Sequence, residues 1–270
     1  MKIIVCVKQV PATQNVKLDE ETGVLLRAGV KSKLNPYDLF AIELSLELRE
    51  RYGGEVTLLT MGPPQAAEAL REGLRMGADR GVLLSDARFA GSDTLATSLA
   101  LSGAIKALGN YDLILTGKQT TDGDTAQVGP EIAELLGLPH VSDADEIAKI
   151  IENFKYICLA HNAGDLRINL MLDMPCLLTV EKDVNTPRLP SYTRGKQLME
   201  ANITTLTLDD ITSREEHISK CYGISGSPTH VVKVFPPAVA AERVMHEGGG
   251  ETLGSMLAEQ LLKSKIVAVE

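Results

Sequence analysis

The chain of 270 residues predicts a Rossmann-like, doubly wound α/β domain built on a mostly parallel sheet. Three observations lead there. Short apolar runs recur through the first half of the chain, segments of helical period separate them, and glycines close those segments. Strands joined through helices need crossover connections, which make neighbouring strands parallel and leave helices on both faces of the sheet.

Residues 2 to 7 (KIIVCV) form a β-branched run fit for a buried strand. After a long loop, Leu39, Ile42, Leu44, Leu46 and Leu48 belong to a helix that stops near Gly53 and Gly54. Residues 56 to 60 are the next strand, 65 to 76 the next helix with Gly77 as its stop, and 82 to 84 a third strand. Residues 93 to 108 read as a helix and 113 to 116 as a strand. The loop at 117 to 124 then feeds a helix from about 125 to 136, closed by Gly137 and Pro139. Beyond 145 the pattern changes: 156 to 160, 166 to 172 and 176 to 180 look like strands without helices between them, an antiparallel extension of the sheet.

The stretch EKDVNTPRLP at 181 to 190 has no period and reads as an extended arm leaving the core. Residues 207 to 250 stay irregular up to an amphipathic helix from 251 to about 262. The expected organisation is an α/β domain over 1–190 and an arm with a C-terminal helix over 191–270. A tail with scattered apolar residues but no core of its own fits wrapping around a partner subunit.

Composition narrows the function. With 27 Lys and Arg against 36 Asp and Glu, the net charge is -9, and the chain has no Trp; a nucleic-acid partner is not expected. No apolar run is long enough for a membrane span, and the first residues lack a signal-peptide pattern, so a cytoplasmic location is expected. The cysteines at 6, 158, 176 and 221 show no metal spacing, and the five His are dispersed; neither a metal site nor a catalytic side-chain constellation is predicted.

The richest segment is Gly117, Lys118, Gln119, Thr120, Thr121, Asp122, Gly123, Asp124, Thr125, Ala126, Gln127 and Val128. It follows a strand and opens a helix, where free backbone N–H groups and the helix dipole can hold a phosphate. Asp122, Asp124 and Thr125 fit simple helix caps as well, and both roles can hold together. Neither a Walker A nor a GxGxxG pattern is present, so a different phosphate cradle is expected. Val7, Lys8, Gln9, Val10 and Pro11 end the first strand at the same sheet edge, and Met61, Gly62, Pro63 and Pro64 end the second. Asn35, Pro36, Tyr37 and Asp38 precede a helix, with Asp38 read first as its N-cap.

Taken together, VKQVP at 7–11, NPYD at 35–38, MGPPQA at 61–66, GADRG at 77–81 and GKQTTDGDTAQVGP at 117–130 resemble the beta subunit of electron-transfer flavoprotein. The resemblance runs on through MPCLLTVEKDVNTPR at 174–188. It implies a fold like that of the adenine nucleotide alpha hydrolases, a heterodimer with an alpha subunit that carries FAD, and an adenine nucleotide buried in this chain. That nucleotide is either a structural AMP or, in the electron-bifurcating branch, a second FAD. By motif match its site falls on Cys6, Val7, residues 35–38, Met61, Gly62 and residues 117–128, with Cys6 contributing backbone rather than a reactive thiol.

HNAGD at 161–165, VNTPRL at 184–189 and TRGKQLMEA at 193–201 depart from the usual aerobic pattern and argue against docking to its usual dehydrogenases. DGDTAQVGP at 122–130, FAGSDTLATS at 89–98 and GSPT at 226–229 look like the bifurcating type, which favours FAD over AMP. The resemblance then implies passage of electrons from NADH to the alpha-subunit FAD and an acyl-CoA dehydrogenase-type partner, and to ferredoxin or flavodoxin. The alternatives are a non-bifurcating carrier subunit holding structural AMP and a nucleotide-binding regulatory protein related to universal stress proteins.

Overall fold

A computed structural model describes residues 1–12, 32–164, 166–197, 202–212, 220–232 and 245–265. The long loop expected after the first strand lies outside these residues from 13 to 31, as do 213–219 and 233–244 of the expected irregular tail.

In chain order the strands and helices are β1 (Lys2–Cys6), β2 (Gln9–Pro11), β3 (Ser32–Leu34), α1 (Pro36–Tyr52), β4 (Glu55–Met61), α2 (Ala67–Met76), β5 (Arg80–Leu84), α3 (Thr94–Leu108), β6 (Leu113–Gly117), α4 (Val128–Leu136), β7 (His140–Ile151), β8 (Tyr156–Ala163), β9 (Leu166–Asp173), β10 (Cys176–Val180), α5 (Tyr192–Gln197), β11 (Ile203–Leu206), α6 (Leu208–Ile211) and α7 (Gly250–Lys263). A sheet of nine strands runs in the order β11-β5-β4-β1-β6-β10-β7-β8-β9. From β11 through β7 every neighbouring pair is parallel, and β7-β8-β9 are antiparallel, so the expected mixed sheet is present.

β1 shows why the centre of the sheet reads as a continuous apolar run. Ile3 and Val5 pack with α1 and α2 residues such as Ile42 and Leu70, whereas Ile4 and Cys6 pack with α3 and α4 residues such as Ile105 and Ile132. A strand covered on both faces has no polar side to alternate with. α2 ends at Gly77, whose φ of 146° a residue with a Cβ rarely adopts.

Three features differ from the expectation. β7 is a strand of twelve residues, HVSDADEIAKII, that pairs parallel with β10 at its start and antiparallel with β8 beyond, with register shifts against both. Its polar, irregular sequence gives no period-two signal because it changes partners along its length. Second, β11 extends the sheet beyond residue 190 by pairing with the edge strand β5, so part of the expected arm is sheet.

Third, the stretch at 181–190 does not leave the core. Asn185 donates to the Phe40 carbonyl at 3.0 Å, and the Arg188 guanidinium grips the buried Glu43 of α1 with contacts of 2.8 to 3.1 Å and also reaches Glu50 at 2.6 Å. Arg194 then donates to the Leu74, Gly77 and Ala78 carbonyls, satisfying acceptors that the end of α2 leaves open. A charge-assisted fork onto a buried carboxylate holds an irregular segment that has no ladder of its own.

Residues 233–270 form a second compact unit; its helix α7 has no buried residue. No helix among the described residues is long and apolar enough to cross a membrane.

α4 lies close on the sheet at Gly129 in its first turn, where a Cβ would stand 2.6 Å from Thr179 Cγ2 and 2.9 Å from Thr116 Oγ1. Gly129→Val is expected to cost about 1–3 kcal/mol by overpacking, read from denaturant unfolding. Gly254→Ala in α7, with nothing within 4 Å of the added carbon, is the control that leaves that transition unchanged.

Candidate functional site

The chain leaves β1 through α1 to reach β4 on one side, and returns from β5 through α3 to β6 on the other. β1 and β6 are neighbours from which the winding diverges, and a parallel sheet opens a crevice at the carboxyl ends of such a pair. Those ends are residues 6–8 and 117–121. The turn at 35–38 that starts α1 meets both.

Asn35 makes that junction. It is 0% exposed, its N–H donates to the Lys8 carbonyl at 2.9 Å, and its side-chain amide donates to Asp38 Oδ1 and to the Gln119 carbonyl, each at 2.9 Å. Its Oδ1 accepts from the Thr121 N–H at 3.3 Å. One buried side chain therefore reads out an acceptor and a donor of the loop after β6 and ties both to the end of β1. Pro36 occupies the first turn of α1, where a missing N–H costs nothing.

Asp38, expected as an N-cap, lies inside the first turn of α1 instead: Asn35 holds the N-cap position and makes no side-chain cap bond. Asp38 Oδ2 accepts from the Lys8 N–H at 2.7 Å. Burial pushes its carboxyl up to about 7, against the opposing pull of Asn35, Lys8 and the main chain of Gly117. Gly117 is required here, since a Cβ would stand 2.5 Å from Asp38 Oδ1 and 2.8 Å from the Tyr37 backbone. Tyr37 contributes its hydroxyl as acceptor to Gln119 Nε2 at 3.3 Å.

The two lysines at the crevice are used differently. Lys118 pairs with Glu181 at 2.7 Å and Asp143 at 3.1 Å, which fixes it toward β10 and β7. Lys8 Nζ pairs across the crevice with Asp122 Oδ1 at 2.8 Å. Burial alone would raise the Asp122 carboxyl, but the Lys8 ammonium and the hydrogen bonds of Lys8 and Thr120 outweigh it and hold the group below the usual carboxylate range.

The loop itself is main chain in the open. Residues 121–127 are exposed; the Asp124 N–H donates to the Thr120 carbonyl at 2.9 Å; Asp124 and Ala126 sit at φ 54°, and Gln127 returns to −98°. Alternation of left- and right-handed residues builds the concave main-chain nests that bind anions. α4 begins at Val128, not at 125, and no side chain caps it. The reading of Asp122, Asp124 and Thr125 as its caps is thus corrected: the Asp122 carboxylate is spent on Lys8. First-turn N–H groups of a helix lack intrahelical partners, and these are free of side-chain competitors. Such donors on an open loop, with Lys8 beside them, fit a phosphate or pyrophosphate ester.

The remaining predicted residues frame the floor. The Val7 N–H donates to the Leu59 carbonyl at 2.8 Å and the Gly62 N–H to the Leu84 carbonyl at 3.1 Å, so both finish ladders of the sheet. Cys6 is buried beside Met61 in the cluster under α3 and α4, and burial together with Asp38 pushes its thiol up to about 12, an unreactive state.

Residue patterns alone miss three groups. The pairing of the Lys8 side chain with Asp122 is one; the sequence places Lys8 at the sheet edge but gives it no partner. Glu131 of α4 accepts from Ser98 at 2.8 Å and Thr94 at 3.2 Å, joining the first turns of α3 and α4. Asp93 caps α3 through the Ala96 N–H at 3.0 Å and also accepts from the Thr229 N–H at 2.9 Å and the Thr229 hydroxyl. The Ser227 hydroxyl donates to the Gly223 carbonyl at 2.8 Å and lies 2.8 Å from the Asp93 nitrogen, whose N–H it accepts. The segments at 89–98 and 226–229 thus meet at one carboxylate.

Comparison with known proteins matches residues 22–210 to the electron transfer flavoprotein domain. The chain is 43% identical over 257 residues to protein FixA of Azorhizobium caulinodans, covering 93% of this chain and 90% of that protein. It is 43% identical over 254 residues to the caffeyl-CoA reductase-Etf complex subunit CarD of Acetobacterium woodii, covering 94% and 92%. It is 40% identical over 277 residues to the electron transfer flavoprotein subunit beta of Megasphaera elsdenii, covering 99% and 100%.

Replacing Asn35 by Leu removes both of its bonds to the loop, at Gln119 and Thr121, and takes the amide donor from the buried Asp38 Oδ1. The expected loss is about 1–3 kcal/mol for that one buried group, the exposed Thr121 N–H being able to bond water instead. Amide exchange of residues 119–121 is expected to accelerate with it.

Proposed function

The chain belongs to the electron transfer flavoprotein family as a beta-type electron-transfer subunit, and from that premise we propose that it holds FAD in the β1/β6 crevice of an electron-bifurcating complex. The complex takes electrons from NADH and delivers them to the alpha-subunit FAD with an acyl-CoA dehydrogenase-type partner, and to ferredoxin or flavodoxin. A cytoplasmic setting fits four free cysteines.

The observation that carries the reading is the open main chain of 121–127 running into an uncapped α4, directly over the ends of β1 and β6. The backbone N–H groups of residues 122, 123 and 125–129 would hold the pyrophosphate, and residues 6–8, 35–38 and 61–62 would border the adenosine. Among the described residues no group of metal-binding side chains occurs, and the thiol at Cys6 is kept protonated. The chain's part is then to bind, orient and exclude water. A bound flavin supplies two-electron exchange with a nicotinamide and one-electron exchange with further carriers.

FAD is favoured over AMP by the resemblance of the loop DGDTAQVGP and of the segments at 89–98 and 226–229 to the bifurcating type, and those two segments meet at Asp93. The acyl-CoA-type partner draws support from the relative whose name places it in a complex with a caffeyl-CoA reductase.

Release of cofactor from the purified complex with its alpha subunit tests this. Two FAD and no AMP per heterodimer is the expected content; one FAD with one AMP overturns the bifurcating role and leaves the carrier role. The loop assignment has its own test. A Cβ at Gly123 meets nothing closer than Thr120 Oγ1 at 3.7 Å, so Gly123→Val fits the chain but obstructs a ligand lying on the loop. That variant is expected to fold with an unchanged unfolding midpoint and to lose the beta nucleotide; full retention contradicts the assignment.

A further inference from the structure

We infer that Asp38 is a positioning residue whose carboxylate form holds the nucleotide loop in its binding shape, so that protonation of this one group releases the loop and weakens nucleotide binding. The inference rests on the proposed nucleotide site and adds its regulation.

The geometry is one of donors without acceptors. Asp38 is 4% exposed, and its oxygens face the Lys8 N–H at 2.7 Å and the Asn35 amide N–H at 2.9 Å. The main chain of Gly117 also bonds to it, and a Cβ there would meet Oδ1 at 2.5 Å. A carboxylate satisfies all of these as acceptor. A carboxylic acid is a weaker acceptor and adds an O–H donor among groups that are themselves donors, so protonation weakens these bonds.

Every one of those donors belongs to a segment of the crevice. Lys8 carries the side chain that pairs with Asp122, and Asn35 carries the bonds to Gln119 and Thr121. Weakening the Asn35 bond loosens the amide that bonds both Gln119 O and Thr121 N, and weakening the Lys8 bond loosens the main chain that carries the partner of Asp122. Asp38 touches no part of the exposed loop and so acts through Asn35 and Lys8.

The groups facing Asp38 are Cys6 and Lys8 from the end of β1, Tyr37 and Asn35 from the start of α1, and Gly117 from β6. Asp122 stands one contact away through Lys8. Cys6 stays a thiol, pushed up to about 12, and Asp122 is held below the usual carboxylate range, so neither changes charge near neutrality. Asp38, pushed up to about 7 by its burial, does.

Two pH dependences of opposite sign follow. An unfolded Asp carboxyl titrates near about 4, so the nucleotide-free protein holds an extra proton between there and about 7 and loses stability as pH rises through that window. Nucleotide affinity, which needs the carboxylate, rises over the same window. A residue that served stability alone would give the first dependence without the second.

The test uses the complex with its alpha subunit, cleared of the beta nucleotide, and measures Kd for FAD and for AMP between pH 5.5 and 8.5 in the wild type and in Asp38→Asn. Taking the ratio of the two proteins at each pH removes the ligand's own titration. The wild type is expected to gain affinity over the variant by up to about tenfold per pH unit below neutrality and to level off above it. Asp38→Asn is expected to stay at the weak end throughout.

If Asp38→Asn does not fold, Asn35→Ala takes its place; it cuts the amide link from Asp38 to the loop, leaving the one through Lys8, and is expected to make the profile shallower. A ratio that stays constant with pH overturns the inference while leaving the site intact. Failure of the wild type to bind either nucleotide at any pH overturns the site and the inference together.

Discussion

The side-chain amide of Asn35 is the interaction on which the crevice depends. A parallel sheet delivers the ends of β1 and β6 side by side, but nothing in the sheet ladder fixes the chain beyond them. Asn35 satisfies a carbonyl and an N–H of the loop after β6 while its own N–H closes on Lys8. Buried polar groups that lose such partners cost more than the bonds themselves contribute, so the amide enforces one loop path rather than merely favouring it. Asp38 holds the amide in orientation, and Gly117 keeps clear the space in which the two meet.

Charge is arranged around that path with the same economy. Lys118 is neutralised by Glu181 and Asp143 and steadies the strand end from which the loop departs. Lys8 offsets Asp122, so an anion approaching the loop does not meet an unscreened carboxylate there. Attraction for a phosphate ester then comes from oriented main-chain dipoles, which suit a cofactor that is held rather than turned over. On the opposite side of the sheet, Arg188 on the buried Glu43 and Arg194 on the end of α2 hold the stretch that leads to β11, a strand on the far edge of the same sheet.

Much of this was legible in the residues. The strands at the sheet centre announce themselves because burial on both faces forces continuous runs such as IIVC, and the helices α1 and α2 because glycines with positive φ stop them. The crevice was legible from the order of elements, and the loop from its composition. β7 was not, because it exchanges one partner for another along twelve residues and its polar side chains follow no single period. β11, four residues of which two are exposed, carries too little pattern to stand out at an edge. The capping roles assigned to Asp38 and Asp122 failed for a shared reason: a carboxylate near a helix start fits a local cap by composition, whereas Asp38 accepts from Lys8 and Asp122 pairs with Lys8, thirty or more residues away in the chain.

The claim that an adenine nucleotide lies on this junction is open to one direct measurement. Hydrogen–deuterium exchange of the complex with its alpha subunit, before and after removal of the beta nucleotide, reports where the ligand protects the main chain. The account predicts protection gathered at residues 6–8, 35–38 and 117–129, strongest across 121–129. Protection elsewhere in the chain, with 121–129 exchanging equally fast in both states, contradicts it.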